Sequence, residues 1–389
     1  MDLRLRPFDV ACGWPFDDEL PSARPLEPHG DESPAEALEA VVLEALRRPP
    51  CVVSFSGGRD SSLVLAAAVS AARRHGLPSP VPVSFVFPHA PDTVETEWQE
   101  RVIAHLGLDD WQRVNRPEEL DYLGPAARQV LRRHGLSFPA NAFWQVLVVE
   151  HARDGALLTG TGGDELLGRW RWQRAADVLA RRARPRPRDA LRIGLAAAPA
   201  AVRRRVREGE GTELPWLRPA AQERLRRATA RQRAAEPASW RRRVAWLTRL
   251  RYVALQQRTL AAIAADVGAT AEHPFFHPRF VAAVGAAGGR LGLGPRGEAM
   301  QALFGELLPP DVLARPTKAI FNAVWQGPRT REFVEAWDGR GVDAELVDVE
   351  RLAELWRGPH TDARSALLLH RAWLESAAGG VDECSTPKG

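Results

Sequence analysis

The chain has 389 residues, 45% of them hydrophobic, and a formal net charge of +4, so it is long enough to bury the core of one large domain or of two. No apolar run reaches the roughly 18 residues of a membrane helix. Charges at Asp2, Arg4 and Arg6 argue against a secretory signal. The three cysteines are scattered, fit no metal spacing and indicate a reducing compartment. We therefore expect a soluble cytoplasmic protein that does not enter a membrane.

The first predicted elements lead to a glycine-rich turn. Residues 1–34 are rich in Pro, Asp and Glu, and we expect a partly ordered arm with a short strand over 3–5. Ser33, Pro34 and Glu36 supply an N-cap, a first-turn proline and an acidic first turn, which predict a helix to about residue 48. Residues 51–62 then read Cys-Val-Val-Ser-Phe-Ser-Gly-Gly-Arg-Asp-Ser-Ser, and a helix is predicted over 63–74.

This first glycine loop, residues 56–62, has the layout of an anion site. A strand, a turn of small residues and a helix N-terminus direct free N–H groups and the positive end of the helix dipole toward one point. Gly57 and Gly58 allow the backbone to approach a phosphate closely. A Walker-type loop would end in Gly-Lys-Ser/Thr, and no Lys is present here. The loop is instead similar to that of enzymes that split ATP between the α and β phosphates; the alternative is a turn that needs only glycine and a cap.

Predicted strands and helices alternate beyond this loop. The strands cover 81–87, 111–114 and 156–159, and the helices cover 93–106, 125–133 and 142–153. This order predicts an α/β fold with a mostly parallel sheet covered by helices, with ligands at the carboxyl ends of the strands. From about residue 169 onward, Arg-rich amphipathic patterns predict a helical region with little strand.

A second glycine loop follows the strand over 156–159. It reads Gly-Thr-Gly-Gly-Asp-Glu-Leu-Leu-Gly over residues 160–168. Adjacent carboxylates at Asp164 and Glu165 suit Mg²⁺ held between protein and phosphate oxygens, although a helix cap with an acidic first turn looks similar. Lys318 and Lys388 are the two lysines of the chain, and every other basic residue except histidine is Arg. A lysine retained at position 318 therefore indicates a need for a compact ammonium that Arg cannot supply.

Four motifs in this order resemble the synthetase domain of class B asparagine synthetases. They are residues 56–62, residues 158–168, Pro274-Phe275-Phe276 and Lys318-Ala-Ile-Phe321. The resemblance covers about residues 35–330 and implies an ATP pyrophosphatase (HUP-like) fold completed by a helical region. It also implies that a carboxylate becomes an acyl-adenylate, which an amine then attacks. Relatives of this type include β-lactam synthetases and lasso peptide cyclases.

The resemblance implies domain boundaries and a site for ATP and Mg²⁺. The segments are an arm over 1–34, an α/β core over 35–168, a helical region over 169–379 and a flexible tail over 380–389. The residues implied to bind ATP are Ser54, Ser56, Gly57, Gly58, Asp60, Ser61, Ser62, Val83, Phe85, Gly162 and Gly163. Asp60 and Asp164 would hold Mg²⁺, and Lys318 would neutralise the transition state, unless it is only a surface lysine.

Independent physics supports this assignment. Attack on the α-phosphate builds negative charge on the β and γ groups. Glycine N–H donors, Mg²⁺ and a lysine offset such charge by fixed electrostatics.

Several positions depart from the family pattern on the amine side of the reaction. Glutamine-dependent members begin with a hydrolase domain that has an N-terminal cysteine, whereas about 34 residues precede the first core helix here, so we do not expect glutamine hydrolysis. Thr161 replaces the Glu or Tyr of relatives and offers no base of useful pKa. His277 stands where asparagine synthetases have Asp, and Glu272 stands where they have Arg. Glu272 could act as a catalytic base or pair with a local Arg; whether it or His277 is the base stays open.

We therefore expect an ATP-dependent ligase that joins a carboxylate, on an amino acid or peptide, to an amine. Peptide or natural-product maturation such as lasso peptide cyclisation is favoured, with a peptide-recognition or amine-supplying protein as a candidate partner. The alternatives are asparagine formation from free or partner-supplied ammonia, an RNA-modifying ATP pyrophosphatase, and a non-catalytic binding partner. The Arg-dense stretch over 203–251 fits solvated helix faces better than a nucleic-acid surface, so we expect no nucleic acid to bind.

Overall fold

The computed structural model describes residues 4–86, 95–168, 170–207, 213–315, 326–358 and 362–382. It contains one five-stranded parallel sheet with the strand order β3-β2-β1-β4-β5. The strands are β1 (Cys51–Ser54), β2 (Val81–Phe85), β3 (Gln112–Val114), β4 (Ala156–Thr159) and β5 (Thr270–Glu272). The predicted α/β fold with a parallel sheet is therefore confirmed.

Helices cover this sheet and make up most of the region after β4. In chain order they are α1 (Pro7–Cys12), α2 (Pro34–Leu46), α3 (Arg59–His75), α4 (Thr96–Leu106), α5 (Pro125–His134), α6 (Val146–Val149), α7 (Gly163–Leu167), α8 (Gln173–Leu179), α9 (Pro187–Ala197), α10 (Ala200–Arg207), α11 (Pro219–Ala235), α12 (Trp240–Leu247), α13 (Arg251–Ala265), α14 (Pro278–Gly288), α15 (Arg296–Phe304), α16 (Pro310–Leu313), α17 (Pro328–Ala336), α18 (Val349–Arg357) and α19 (Ala366–Asp382). Among the described residues, no helix combines the length and the apolar character needed to cross a membrane.

Local sequence signals account for the elements around the first loop. Ser33 is the predicted N-cap of α2, and it forms a reciprocal cap with Glu36, with N–H to side-chain oxygen distances of 3.2 and 2.8 Å. The first three residues of β1 are buried, as a central parallel strand requires. Helix α3 packs its Ala, Leu and Val side chains into the core and ends at Gly76, which adopts a left-handed conformation (φ 64°).

Two elements differ from the sequence-based prediction. The helix predicted over 142–153 is a 3₁₀ turn, the short α6 and a second 3₁₀ turn, because hydrogen bonds to the residue three positions back replace the regular pattern. Strand β5 was not predicted at all. Its three residues are too few to show a period, and they form a strand because they pair with β4 at the edge of the sheet, Leu158 opposite Glu272.

The N-terminal segment is more ordered than predicted. Residues 4–5 are not a strand, and the chain instead forms α1, whose Asp9 is completely buried. The Asp9 carboxylate accepts hydrogen bonds from Arg6 Nε at 3.0 Å and from Arg251 Nη1 at 2.8 Å. Trp216 Nε1 also donates to the Ala11 carbonyl oxygen at 2.8 Å. These contacts attach α1 to the helical region.

Candidate active site

The two glycine loops meet at one edge of the sheet. Strands β1 and β4 are adjacent and parallel, so the loops that follow them leave from neighbouring strand ends. A Cβ atom on Gly160 would lie 2.6 Å from the Ser61 nitrogen, and one on Gly163 would lie 2.2 Å from the Asp60 Cγ. Only residues without a side chain permit this approach of the second loop to the first.

Hydroxyl groups organise the first loop. Ser61 Oγ accepts the N–H of Ser56 at 3.1 Å, lies 3.0 Å from Ser56 Oγ and donates to the Gly58 carbonyl oxygen at 3.2 Å. Gly57 has φ 80°, and a Cβ there would lie 2.8 Å from Gln99 Cγ, so glycine is required. Ser62 is fully buried, and its hydroxyl has no hydrogen-bond partner among the described residues.

Arg296 joins the two predicted metal ligands. This residue begins α15, and its guanidinium donates from one nitrogen to Asp60 and from the other to Asp164. The Arg296 and Asp60 side chains are only 12% and 18% exposed. Burial raises the pKa of Asp60, and the attraction of Arg296 opposes that rise. Sequence reasoning missed Arg296, because nothing distinguishes one more arginine in an Arg-rich chain.

The same two carboxylates could hold a divalent cation. They share one positively charged group in this structure, so their oxygens converge on a common region. Hard carboxylate oxygens suit Mg²⁺, which commonly keeps only one or two protein carboxylates and completes its shell with phosphate and water. In the described ranges, no group of three or more His, Cys, Asp or Glu residues fits a metal ion. Asp60 and Asp164 are therefore suited to a metal shared with a ligand.

Three of the residues implied to bind ATP have different surroundings. Val83 is buried, and its carbonyl oxygen accepts the N–H of Phe55 at 2.8 Å, so it supports the first loop. Phe85 ends β2, is half-buried and stacks on Trp144 with ring centres 5.6 Å apart. Ser54 ends β1 and is also half-buried. The ends of β1 and β2 are thus partly open, whereas Val83 is enclosed.

Glu272 is the last residue of β5 and takes no part in the Arg296 bridge between the two carboxylates. The charged groups that act on Glu272 are Glu44 of α2 and Arg48. Burial raises the pKa of Glu272, and the like charge of Glu44 raises it further. His277 caps α14, since its Nδ1 accepts the N–H of Arg279 at 3.2 Å. Both candidates for the base thus have local structural contacts.

A buried histidine supports the second loop instead. His273 Nδ1 lies 2.7 Å from Thr159 Oγ1, and that hydroxyl oxygen also accepts the N–H of Thr161 at 3.4 Å. Burial lowers the pKa of His273 to about 4, so the ring is neutral at physiological pH. Sequence reasoning missed this contact, although His273 directly follows Glu272 in the sequence.

Lys318 lies outside the described residues, as do the end of the predicted strand at residue 87 and the start of the predicted helix at 93–94. The role of Lys318 therefore stays a prediction.

A comparison with protein families matches the chain to asparagine synthase over residues 35–376. The match covers both glycine loops, Arg296 and most of the helical region. None of the curated proteins compared with the chain is significantly similar to it. The chain therefore belongs to the asparagine synthase family, as an ATP-dependent ligase that forms carbon–nitrogen bonds.

Proposed function

We propose that this enzyme activates a carboxylate as an acyl-adenylate and transfers the acyl group to an amine. The carboxylate oxygen attacks the α-phosphorus of ATP, the bond to the β-phosphate oxygen breaks, and pyrophosphate leaves. The amine nitrogen then attacks the acyl carbon, AMP departs, and the nitrogen loses a proton. The observation that carries this proposal is the meeting of the two glycine loops around Asp60 and Asp164, with Arg296 between them.

The charges around the loops suit the departure of pyrophosphate. Negative charge accumulates on the β and γ groups as the bond breaks. The N-terminus of α3 and the first-loop N–H groups would stabilise that charge without rearranging. Mg²⁺ held by Asp60 and Asp164 would supply further neutralisation, and it would compete with Arg296 for the carboxylate oxygens. A guanidinium displaced in this way is available to pair with phosphate.

Lys318 would add a compact ammonium to this site. Its support is the family motif and the rarity of lysine in the chain. Arg315, three residues earlier, contacts the first loop, since its Nη1 donates to the Gly57 carbonyl oxygen at 3.1 Å.

We further propose that the amine belongs to a peptide or natural product, as in lasso peptide cyclisation. The support is that Thr161 replaces the base of the relatives and that Glu272 and His277 have other contacts. A ligase that receives an already positioned amine depends less on its own base.

Pyrophosphate–ATP exchange tests the proposal. Exchange that requires a peptide or amino acid carboxylate, together with Mg²⁺, is the expected result. Exchange with aspartate, followed by asparagine formation from ammonium, would instead support an asparagine synthetase. Exchange or AMP release only with tRNA would overturn amide formation in favour of an RNA-modifying enzyme.

Replacing Gly163 should disturb the carboxylate pair. In Gly163→Ala the new methyl group would overlap Asp60, so the carboxylate must move, and we expect exchange to fall about tenfold or more. Gly194→Ala in α9 is the matched control, because no atom lies within 4 Å of its added Cβ. Wild-type exchange in Gly163→Ala would contradict the close contact between the loops.

A further inference from the structure

Hydrogen-bond donors from the protein occupy four consecutive carbonyl oxygens, those of Phe55 and of the first three residues of the first loop. The donors are Ser84 Oγ to Phe55 at 2.6 Å, Gln99 Nε2 to Ser56 at 3.3 Å, Arg315 Nη1 to Gly57 at 3.1 Å, and Ser62 N to Gly58 at 3.0 Å. Regular helix geometry explains the last of these. The first three donors belong to β2, to α4 and to Arg315, which follows α16, so distant parts of the chain converge on this backbone.

Anchored carbonyl groups determine where the loop N–H groups point. In a trans peptide the C=O and the next N–H point in opposite directions. Holding the Ser56 and Gly57 oxygens on one side therefore turns the N–H groups of Gly57 and Gly58 to the other, where the Gly58 N–H donates to Ser56 Oγ at 3.3 Å in this structure. The same contacts keep carbonyl lone pairs, which would repel an anion, away from the N–H side.

Arg315 provides the strongest of these anchors. Its side chain is 4% exposed and that of Glu95 is 7% exposed. Both terminal nitrogens of Arg315 bind the Glu95 carboxylate, with Nη2 to Oε1 at 2.6 Å, and its guanidinium lies 4.7 Å from the Trp98 ring centre. Removing two charges from water is costly, and such a pair often stabilises a fold no more than apolar side chains would. The geometry of the Arg315–Glu95 pair instead fixes the position of Arg315 Nη1, which donates to the Gly57 carbonyl oxygen.

We propose that Arg315 and Gln99, with Glu95 holding Arg315, are positioning residues that make the first loop a pyrophosphate site. This inference rests on the proposed function, since it assumes that the loop binds the phosphates of ATP. The residues act on the peptide groups behind the loop. They therefore determine affinity for the phosphate chain and leave recognition of the nucleoside unchanged.

Binding measurements on Arg315→Met test this inference. Isothermal titration with Mg²⁺-pyrophosphate and, separately, with adenosine distinguishes the two parts of the ligand. We expect the dissociation constant for pyrophosphate to rise about tenfold to a hundredfold, the scale of losing a hydrogen bond from a charged group, with adenosine binding unchanged. Gln99→Met should weaken pyrophosphate binding in the same direction but less, because the lost donor is neutral.

Arg101→Met is the matched charge control. Arg101 also belongs to α4 and forms an exposed ion pair with Asp311, and its guanidinium lies 5.6 Å from the Trp98 ring centre, so this variant loses the same charge and a contact with the same ring but no hydrogen bond to the loop. Its pyrophosphate affinity should equal that of the wild type. An equal loss in Arg101→Met would overturn the inference, because the effect would then be one of net charge.

A double variant separates positioning from stability. Arg315→Met leaves the Glu95 carboxylate buried without this arginine, whereas Glu95→Gln with Arg315→Met removes both charges. We expect the double variant to regain thermal stability and to keep the weak pyrophosphate affinity. Wild-type affinity in the double variant would overturn the inference while leaving the proposed function intact. A wild-type protein that binds neither ATP nor pyrophosphate would overturn the proposed function itself.

Discussion

Asp60→Asn is expected to lower pyrophosphate–ATP exchange about a hundredfold to a thousandfold, the range found when one transition-state interaction is removed. The amide has the shape of the carboxylate and can still accept a hydrogen bond from Arg296, so the fold should be preserved. It lacks the negative charge that would hold Mg²⁺ beside the phosphates. Exchange measured over a series of Mg²⁺ concentrations checks this result, and chelation of Mg²⁺ should abolish exchange in the wild type.

Asp311→Asn provides the matched control for Asp60→Asn. Its carboxylate is 46% exposed and forms an ion pair with Arg101 on the surface. The same chemical change at this position should leave exchange within about twofold of the wild type, because exposed pairs contribute little. Full exchange in Asp60→Asn would refute the assignment of this carboxylate to the reaction.

The second large effect is expected on stability, from Asp9→Ala. This carboxylate is completely buried and faces Arg251, which is 4% exposed, so the substitution leaves a buried guanidinium without its carboxylate. Breaking a buried pair from one side costs about 3–5 kcal/mol. We expect the free energy of unfolding to fall by that amount, measured by denaturant titration with circular dichroism, and the melting temperature to fall with it.

Asp18→Ala is the corresponding control, because Asp18 binds the same Arg6 but is 79% exposed. Its expected effect on the free energy of unfolding is below about 1 kcal/mol. A stability of Asp9→Ala equal to that of Asp18→Ala would contradict the cost assigned to breaking the buried Asp9–Arg251 pair.

Both glycine loops and the sheet strands β1 to β4 could be predicted from the sequence, for a physical reason. Each loop is a continuous strand, turn and helix start, and its chemistry comes from residues that are neighbours in the chain. The small residues, the acidic residues after them and the alternation of strands with helices are local patterns. The parallel topology then places both loops at the same edge of the sheet.

Other parts of the site were decided only by the tertiary structure. Arg296 is 236 residues from Asp60 and 132 from Asp164, and Arg315 is 220 residues from Glu95. The surroundings of Glu272 and His277 also come from folding, since Glu44 and Arg48 act on Glu272 and His277 caps α14; a role for either as the base stays a prediction. The polar composition of the N-terminal segment also did not predict α1. Asp9 of this helix is held by Arg251, which is 242 residues away in the sequence. The local chemistry of the two loops follows from residues that are neighbours in the sequence. The arginines that bind their carboxylates and carbonyl oxygens, Arg296 and Arg315, reach them only in the folded chain, because long-range contacts leave no pattern among neighbouring residues.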